Sequence, residues 1–278
     1  MRERIVGADV GQLEITSLKH IRGQPQLVET LEVQLRAYFN IRASSGCANV
    51  GFGPVLLTGP SGTGKSLVAK ALHAELGNLK LFETNGVTIN NKRELFSILI
   101  GADANTTIFI DEAQAMNSNA QHLLLTALSE RKLHIPAGIS MSRSYTLSLG
   151  AFTMIMATTH EYLLQSALRN RMRIYCRLEL YSTEALVEIV RQRADALRWP
   201  YQSDQVLRMI AQRAKRIPRL ALHRNLQTCW NVVRSHDRYV MTVPDAQEAF
   251  QYLQVDHAGL DQLDRSYLEI LLGTATLP

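Results

Sequence analysis

Residues 54–66 read Pro-Val-Leu-Leu-Thr-Gly-Pro-Ser-Gly-Thr-Gly-Lys-Ser, an apolar run followed by a glycine-rich loop. The apolar run predicts a buried strand, and residues 66–76, which are followed by Gly77, predict a helix. Residues 59–66 match the pattern G-x-x-x-x-G-K-[ST] at every position, between the strand and the helix that this pattern requires. A chance glycine-rich turn is the weaker explanation. The stretch therefore predicts a phosphate-binding loop in an α/β fold.

The residue types of this loop predict that it binds ATP together with Mg²⁺. Glycines let backbone N–H groups approach phosphate oxygens, and the N-terminus of the following helix adds partial positive charge. Lys65 is expected to contact the β- and γ-phosphates, and the Ser66 hydroxyl is expected to ligate Mg²⁺. The other predicted nucleotide-binding residues of the loop are Gly59, Pro60, Ser61, Gly62, Thr63 and Gly64.

Two carboxylates follow the apolar run at residues 108–110. The carboxyl ends of parallel strands form the edge at which ligands bind in α/β sheets, so both side chains are expected near the loop. Asp111 is predicted to ligate Mg²⁺, and Glu112 is predicted to polarise the water that attacks the γ-phosphate. The pattern is weak alone and becomes strong downstream of a phosphate-binding loop.

Hydroxyl and guanidinium groups farther along the chain leave alternatives open. A hydroxyl of Thr158 or Thr159, at the end of the next predicted strand, either holds the water and senses the γ-phosphate or makes local backbone contacts. Arg169, Arg171 and Arg219 either supply positive charge to phosphoryl transfer, often to a neighbouring subunit, or are surface arginines.

Short apolar runs alternate with helical stretches over the first 180 residues. This alternation predicts a parallel sheet covered by helices on both faces, an αβα core. Residues 131–149 instead alternate polar and apolar residues around Ala137-Gly138, which predicts a projecting β-hairpin. From Ser182 onward the pattern predicts four helices, so a domain boundary is expected near Leu180. The predicted strands are residues 54–58, 79–83, 107–110, 152–157 and 175–180.

Composition indicates a folded intracellular protein. Hydrophobic residues make up 46% of the 278 residues and charged residues 20%. No apolar run is long enough to cross a membrane and the charged start of the chain lacks a secretory signal, so the cytoplasm is the expected location. The three cysteines are widely spaced and odd in number, which argues against a disulfide framework or a zinc site.

The positive charge is unevenly distributed. The net charge is +5, yet residues 169–238 contain fifteen Lys and Arg against six Asp and Glu, a local net charge of +9. This region favours either a polyanionic partner, nucleotide or nucleic acid, or a solvated helical face whose arginines pair within an oligomer. Composition does not separate the two alternatives.

The order of these motifs is similar to that of AAA+ ATPases and, among them, most resembles the RuvB family of bacterial Holliday-junction branch-migration motors. The resemblance extends from about Ile21 to Ile270. The last of its three most specific stretches belongs to no generic AAA+ core. These stretches are Ser-Arg-Ser-Tyr-Thr-Leu-Ser-Leu-Gly-Ala-Phe-Thr-Met-Ile-Met-Ala-Thr-Thr (142–159), Arg-Leu-Glu-Leu-Tyr (177–181) and Val-Asp-His-Ala-Gly-Leu-Asp-Gln-Leu-Asp-Arg (255–265).

The resemblance implies roles for several residues. Thr159 corresponds to the sensor-1 residue, Arg171 to an arginine finger that acts on ATP in the adjacent subunit, and Arg219 to sensor 2. The implied adenine contacts are Ile21, Arg22 and Gly23. A hexameric homo-oligomeric ring around DNA is also implied, with a RuvA-like partner docked at the hairpin of residues 131–149.

The resemblance further implies an ATPase domain over residues 1–180, a small all-helical lid over residues 181–255, and over residues 256–278 the start of a winged-helix domain that is truncated or absent. The chain departs from the family pattern at three places: Ile15-Thr-Ser-Leu replaces Leu-Arg-Pro, Asp111-Glu-Ala-Gln replaces Asp-Glu-Ile-His, and Met172-Arg replaces Phe-Gly. The leading hypothesis is an ATP-driven DNA motor. The alternatives are a regulatory or adaptor ATPase that remodels a protein partner with little DNA contact, and an inactive scaffold.

Overall fold

The computed structural model describes residues 9–12, 17–45, 50–136 and 144–275. These residues form two compact units. The sheet unit comprises the described residues of 15–61 and 65–179. The helical unit comprises those of 1–14, 62–64 and 180–278.

Five parallel strands form the sheet, in the order β2-β3-β6-β1-β7. Strand β1 therefore lies between two strands that follow it in the chain, so the strand order reverses there and a crevice opens at the carboxyl ends of the strands. The strands of the sheet unit are β1 (Val55–Thr58), β2 (Lys80–Asn85), β3 (Thr106–Asp111), β4 (Lys132–Pro136), β5 (Ser144–Ser148), β6 (Thr153–Thr158) and β7 (Ile174–Arg177).

Helices cover both faces of this sheet, which confirms the predicted αβα fold class. The side chains of β1 alternate between the two faces: Val55 and Leu57 pack under α1 and α2, and Leu56 packs under α3 and α4. The helices of this unit are α1 (Pro25–Ser45), α2 (Lys65–Leu76), α3 (Lys92–Ile100), α4 (Ser118–Glu130) and α5 (Ser166–Arg169).

The hairpin region forms a separate antiparallel pair, in which β4 pairs with β5 and Leu133 lies opposite Leu147. Leu133 is buried in the cluster beneath α3 and α4, whereas Tyr145 on β5 is 69% exposed. The turn predicted at Ala137-Gly138 lies outside the described residues.

The helical unit has its own core, centred on Trp199 and Trp230, whose rings stack with centroids 4.9 Å apart. Val10 belongs to this core: its N–H donates to Gln227 Oε1 at 2.9 Å, and its carbonyl accepts from Arg193 at 3.0 Å. The helices are α6 (Thr183–Leu197), α7 (Asp204–Gln212), a π-helix (Leu220–Leu226), α8 (Gln227–Ser235), α9 (Val243–Tyr252) and α10 (Gln262–Ala275).

The third of the four helices predicted after Ser182 begins with a π-helical turn that precedes α8. Asn225 is fully buried there and its amide donates to the carbonyl of Ile210 at 2.9 Å. Arg224 donates to the carbonyl of Arg213 at 2.7 Å. Both side chains thus donate to carbonyl groups of α7 and its C-terminal end. These tertiary hydrogen bonds cannot be predicted from hydrophobic periodicity.

Candidate nucleotide-binding site

Three neighbouring strands of the sheet unit deliver the predicted site residues to one edge. Thr58 of β1 pairs in register with Thr158 of β6, and Ile110 of β3 pairs with Met156 of β6. Because all three strands are parallel, the segments that follow them leave from the same edge. The loop after β1, the carboxylates after β3 and Thr159 after β6 therefore lie side by side.

The backbone of the loop after β1 adopts conformations that require glycine. Gly59 has φ +143°, and a Cβ there would lie 2.3 Å from the carbonyl oxygen of Leu178. Helix α2 begins at Lys65, which is 6% exposed. Its ammonium donates to the carbonyls of Gly59 and Pro60 at 2.8 and 2.9 Å. The loop thus places a buried cation beside the positive end of a helix, an arrangement that fits a polyphosphate.

Ser66 and Asp111 join the loop to the end of β3. The Ser66 hydroxyl donates to Asp111 Oδ2 at 2.6 Å, and the N–H of Glu112 donates to Asp111 Oδ1 at 2.9 Å. Among the described residues no group of three or more His, Cys, Asp or Glu side chains is placed to hold a metal ion. A hydroxyl and one carboxylate are nevertheless the oxygen donors that fit Mg²⁺, which usually keeps several waters and takes further ligands from substrate phosphates.

The chain turns sharply after Asp111. Glu112 has φ +46°, in the left-handed region. A Cβ at residue 86 would lie 2.4 Å from the carbonyl oxygen of Glu112, so only glycine fits beside this turn. The turn leaves the Glu112 side chain exposed at the edge of the sheet, where it contacts Gln114 and Thr159.

The two threonines at the end of β6 make different contacts. Thr158 is buried, donates to Gln114 Oε1 at 2.6 Å and accepts the backbone N–H of His160 at 3.1 Å. The Thr159 hydroxyl lies 3.4 Å from Glu112 Oε2 and 3.0 Å from Gln114 Nε2. Thr158 makes local contacts, and the Thr159 hydroxyl faces the Glu112 carboxylate but also lies 2.9 Å from His160 Nδ1.

Ile21, Arg22 and Gly23 form the connection to α1. Ile21 packs against the α1–α2 cluster, and Arg22 is exposed and donates to the carbonyl of Lys19 at 2.8 Å. The next residue, Gln24, was not singled out from the sequence. Its amide donates to the carbonyl of Glu179 at 2.9 Å, so it ties this connection to the segment after β7, at the loop's edge of the sheet.

Within the helical unit, Arg219 begins the π-helical segment and is exposed. Its backbone N–H donates to the carbonyl of Gly62 at 3.2 Å. Tyr181, which was not predicted as a site residue, donates its hydroxyl to the carbonyl of Thr63 at 2.9 Å. Gly62–Gly64 of the loop therefore pack with the helical unit, of which they are part.

Arg171 lies at the opposite edge of the sheet. It precedes β7, and the neighbouring Arg173 donates its N–H to the carbonyl of Pro54, just before β1. Strand β1 has four residues, so about 13 Å of strand separates this edge from the phosphate-binding loop. Arg171 is exposed and lines a groove of about 630 Å³ beside α4. The structure does not bring Arg171 to the other predicted site residues of its own sheet.

Most basic side chains of residues 169–238, the basic stretch, make contacts within the protein. At least nine of its fifteen basic side chains make ion pairs, hydrogen bonds or cation–π contacts. They are Arg177, Arg191, Arg193, Arg213, Lys215, Arg216, Arg224, Arg234 and Arg238. These contacts favour the structural explanation for most of the local excess of positive charge.

The two cysteines among the described residues are buried free thiols. Burial raises the pKa of Cys176 to about 11 and that of Cys229 to about 12, so both stay protonated at neutral pH and are unreactive. In the part of the chain that the structure describes, no helix has the length and apolar character needed to span a membrane.

A parallel sheet with this strand order, a phosphate-binding loop after β1 and an acidic pair after β3 defines a P-loop ATPase of the AAA+ class. Residues 13–178 match the family described as the Holliday junction DNA helicase RuvB P-loop domain. The chain belongs to the RuvB family and is a nucleotide-binding, ATP-hydrolysing protein of that family.

Relatives and solved structures agree over most of the chain. The chain is 32% identical to the Holliday junction branch migration complex subunit RuvB of Wolbachia sp. subsp. Brugia malayi (strain TRS), over 96% of this chain and 80% of the relative. It is 34% identical to the subunit of the same name from Wolbachia sp. subsp. Drosophila simulans (strain wRi), over 91% and 75%. A mutant of Thermotoga maritima RuvB is similar with a TM-score of 0.81 and 26% identity, over 94% of this chain and 80% of that one.

The close packing of Gly59 against Leu178 leads to a testable prediction. Gly59→Ala places a methyl group against the carbonyl of Leu178, so the loop must shift, and nucleotide affinity should fall by about tenfold or more. Titration with a fluorescent ATP analogue measures this loss.

Gly77→Ala is the matched control, because Gly77 also has a positive φ, +65°, but no atom lies within 4 Å of an added Cβ. It should cost about 1–2 kcal/mol of stability and leave nucleotide affinity unchanged. Equal affinities of the two variants would contradict the geometric role of Gly59.

Proposed function

We propose that this chain is the subunit of an ATP-driven motor that acts on branched or duplex DNA, in Holliday-junction branch migration or a related step of recombination and repair. Its membership of the RuvB family supports the proposal, because the relatives are named as Holliday junction branch migration subunits. The subunit assembles as a homo-oligomer, and the family resemblance favours a hexameric ring around DNA.

One observation carries this proposal: the predicted site residues lie at two opposite edges of the sheet. Lys65, Ser66, Asp111, Glu112 and Thr159 lie at one edge of a subunit. Arg171 lies at the other, so it is too far away to serve its own nucleotide. Its exposed position on the groove beside α4 suits an arginine that completes the site of an adjacent subunit. A ring closes such head-to-tail contacts.

The chemistry assigned to the loop edge is phosphoryl transfer to water. Lys65 and the loop backbone bind the phosphates, and Ser66 and Asp111 would hold Mg²⁺, which would neutralise phosphate charge. The Glu112 carboxylate accepts a hydrogen bond from the attacking water and orients it, while the Thr159 hydroxyl senses the γ-phosphate. Arg171 of the neighbouring subunit stabilises the charge that develops in the transition state.

The remaining assignments follow the family resemblance. Residues 181–255 are proposed as the helical lid, with Arg219 as its γ-phosphate sensor; the bond from its N–H to Gly62 supports this role. Ile21, Arg22 and Gly23 are proposed to contact adenine, supported by the link between Gln24 and Glu179.

The β4–β5 hairpin is proposed as the docking site of a RuvA-like protein. On β5, Tyr145 is 69% exposed and Leu147 is 38% exposed, whereas Leu133 on β4 anchors the hairpin in the core. Exposed apolar side chains on an anchored hairpin suit a protein partner.

A regulatory or adaptor ATPase with little DNA contact is the second candidate. The observation that favours it is the internal engagement of at least nine basic side chains in residues 169–238, which leaves fewer cations for a phosphate backbone.

Binding to forked DNA separates the two candidates. With a non-hydrolysable ATP analogue, the motor should retain forked DNA on a filter, and its affinity should fall steeply between about 50 and 200 mM salt as counterions are released. Omission of the nucleotide is the control; because Arg171 is proposed to contact the nucleotide of a neighbouring subunit, retention of DNA should fall without it. Retention that is absent at every salt concentration would favour the adaptor.

Glu112→Gln should abolish turnover and preserve binding. The amide cannot act as a base, so kcat for ATP hydrolysis should fall by about 100-fold or more while nucleotide affinity stays unchanged. Glu83→Gln on β2 is the matched control; its carboxylate pairs with Lys70 at 3.1 Å, and its loss should leave kcat unchanged. Wild-type turnover in Glu112→Gln would remove Glu112 from its proposed role.

Mixing two inactive variants tests the divided site. Arg171→Ala subunits keep an intact loop, and Lys65→Ala subunits keep an intact arginine, so mixed assemblies contain some complete sites. ATPase activity should therefore reappear on mixing and peak at an intermediate ratio. A subunit that carries both substitutions is the control partner and should restore nothing. If no ratio of the two single variants restores turnover, Arg171 does not act between subunits.

A further inference from the structure

Gln114 lies between Glu112, which is proposed to orient the attacking water, and Thr159, which is proposed to sense the γ-phosphate. Its Nε2 group donates to Glu112 Oε2 and to Thr159 Oγ1, the latter at 3.0 Å. Its Oε1 accepts the hydroxyl proton of Thr158 at 2.6 Å. Both N–H donors and the carbonyl oxygen of one amide group are thus used at the same time.

These bonds connect two different strands. Glu112 follows β3, and Thr158 is the last residue of β6 with Thr159 directly after it, so the Gln114 amide spans the ends of two neighbouring strands. Thr159 also approaches Glu112 directly, but at 3.4 Å. The amide is therefore the principal link between the hydroxyl and the carboxylate, and it leaves the second carboxylate oxygen available to a water molecule.

The backbone of the turn does not need this amide. The N–H of Ala115 donates to the carbonyl of Glu112 at 2.9 Å, and that of Met116 donates to the carbonyl of Ala113 at 3.1 Å. Asn90 holds the turn from its other side: its amide donates to the carbonyl of Ala115 at 3.1 Å, and its oxygen accepts the N–H of Asn117. The Gln114 side chain therefore acts on side chains of the site rather than on the fold of the turn.

We propose that Gln114 is a positioning residue, whose amide fixes the Glu112 carboxylate relative to the Thr159 hydroxyl. A glutamate side chain turns about three bonds, so an unrestrained carboxylate spends most of its time away from the orientation that serves an attacking water. The amide selects one orientation and makes it depend on the position of Thr159. A γ-phosphate that moves Thr159 thereby also moves the carboxylate.

This inference rests on the proposed roles of Glu112 and Thr159. Gln114→Met keeps the length of the side chain and removes its amide. It should lower kcat for ATP hydrolysis by about 10- to 100-fold, the range for groups that orient catalytic side chains, while KM for ATP stays unchanged. The melting temperature should fall by a few degrees, because the buried Thr158 hydroxyl loses its acceptor. Gln114→His keeps one donor and one acceptor on the ring and should recover part of the lost kcat.

Asn90→Leu is the matched control, because it removes an amide that holds the same turn without contact to Glu112 or Thr159. A purely structural role of Gln114 predicts equal losses of melting temperature and kcat in the two variants. The positioning role predicts that only Gln114→Met loses kcat.

A double-mutant cycle tests the coupling itself. Residues that act as one unit are not additive, so Gln114→Met should cost little further kcat in a Thr159→Val background. Additive losses, or a kcat in Gln114→Met equal to that of Asn90→Leu, would overturn the inference. If Gln114→Met does not remain folded at the assay temperature, Gln114→Leu is measured in the same cycle.

Absence of ATP turnover in the wild-type protein would instead refute the proposed function, so failure of the inference and failure of the proposed function are distinguishable.

Discussion

The hydrogen bond from the Ser66 hydroxyl to Asp111, 2.6 Å long, joins the two halves of the site. It forms because β1 and β3 are parallel and end at one edge of the sheet, with β6 between them. Helix α2 turns back from the loop and presents its first residues to the carboxylate. A sheet with one of these strands reversed would separate the hydroxyl from the carboxylate, and no choice of loop residues would restore the site.

The sequence predicted the parts of the site that depend on local patterns. Gly59 to Ser66 and Asp111 are recognised because a strand, a glycine-rich turn and a helix follow each other without interruption. Gln114, Tyr181 and Gln24 were missed as site residues because their significance arises from residues far away in the chain. The residue type offered one signal: Gln114 stands in a motif where the family pattern has histidine. The π-helical turn at Leu220–Leu226 escaped for the same reason, since Asn225 and Arg224 bond to carbonyls of an earlier segment.

The basic stretch shows how charge counts mislead. A local net charge of +9 favoured a polyanion as strongly as a structural face. The structure shows Arg213 over the ring of Phe250, Arg234 over that of Tyr239, and Arg193 on the carbonyl of Val10. Guanidinium groups have five donors and a flat surface that packs on aromatic rings, so they can bind carbonyl groups and rings within the helical unit. Net charge alone therefore does not locate a surface for nucleic acid.

The position of Arg171 at the far edge of the sheet has a further consequence for control of the proposed motor. In the proposed assembly, each polypeptide carries parts of two sites and the whole of none, so a lone molecule in dilute solution would be inactive however well it is folded. ATP hydrolysis would then require contact between neighbouring subunits. A shared scaffold or a strand of nucleic acid that brings such subunits together would then activate ATP hydrolysis without changing the structure of any one subunit.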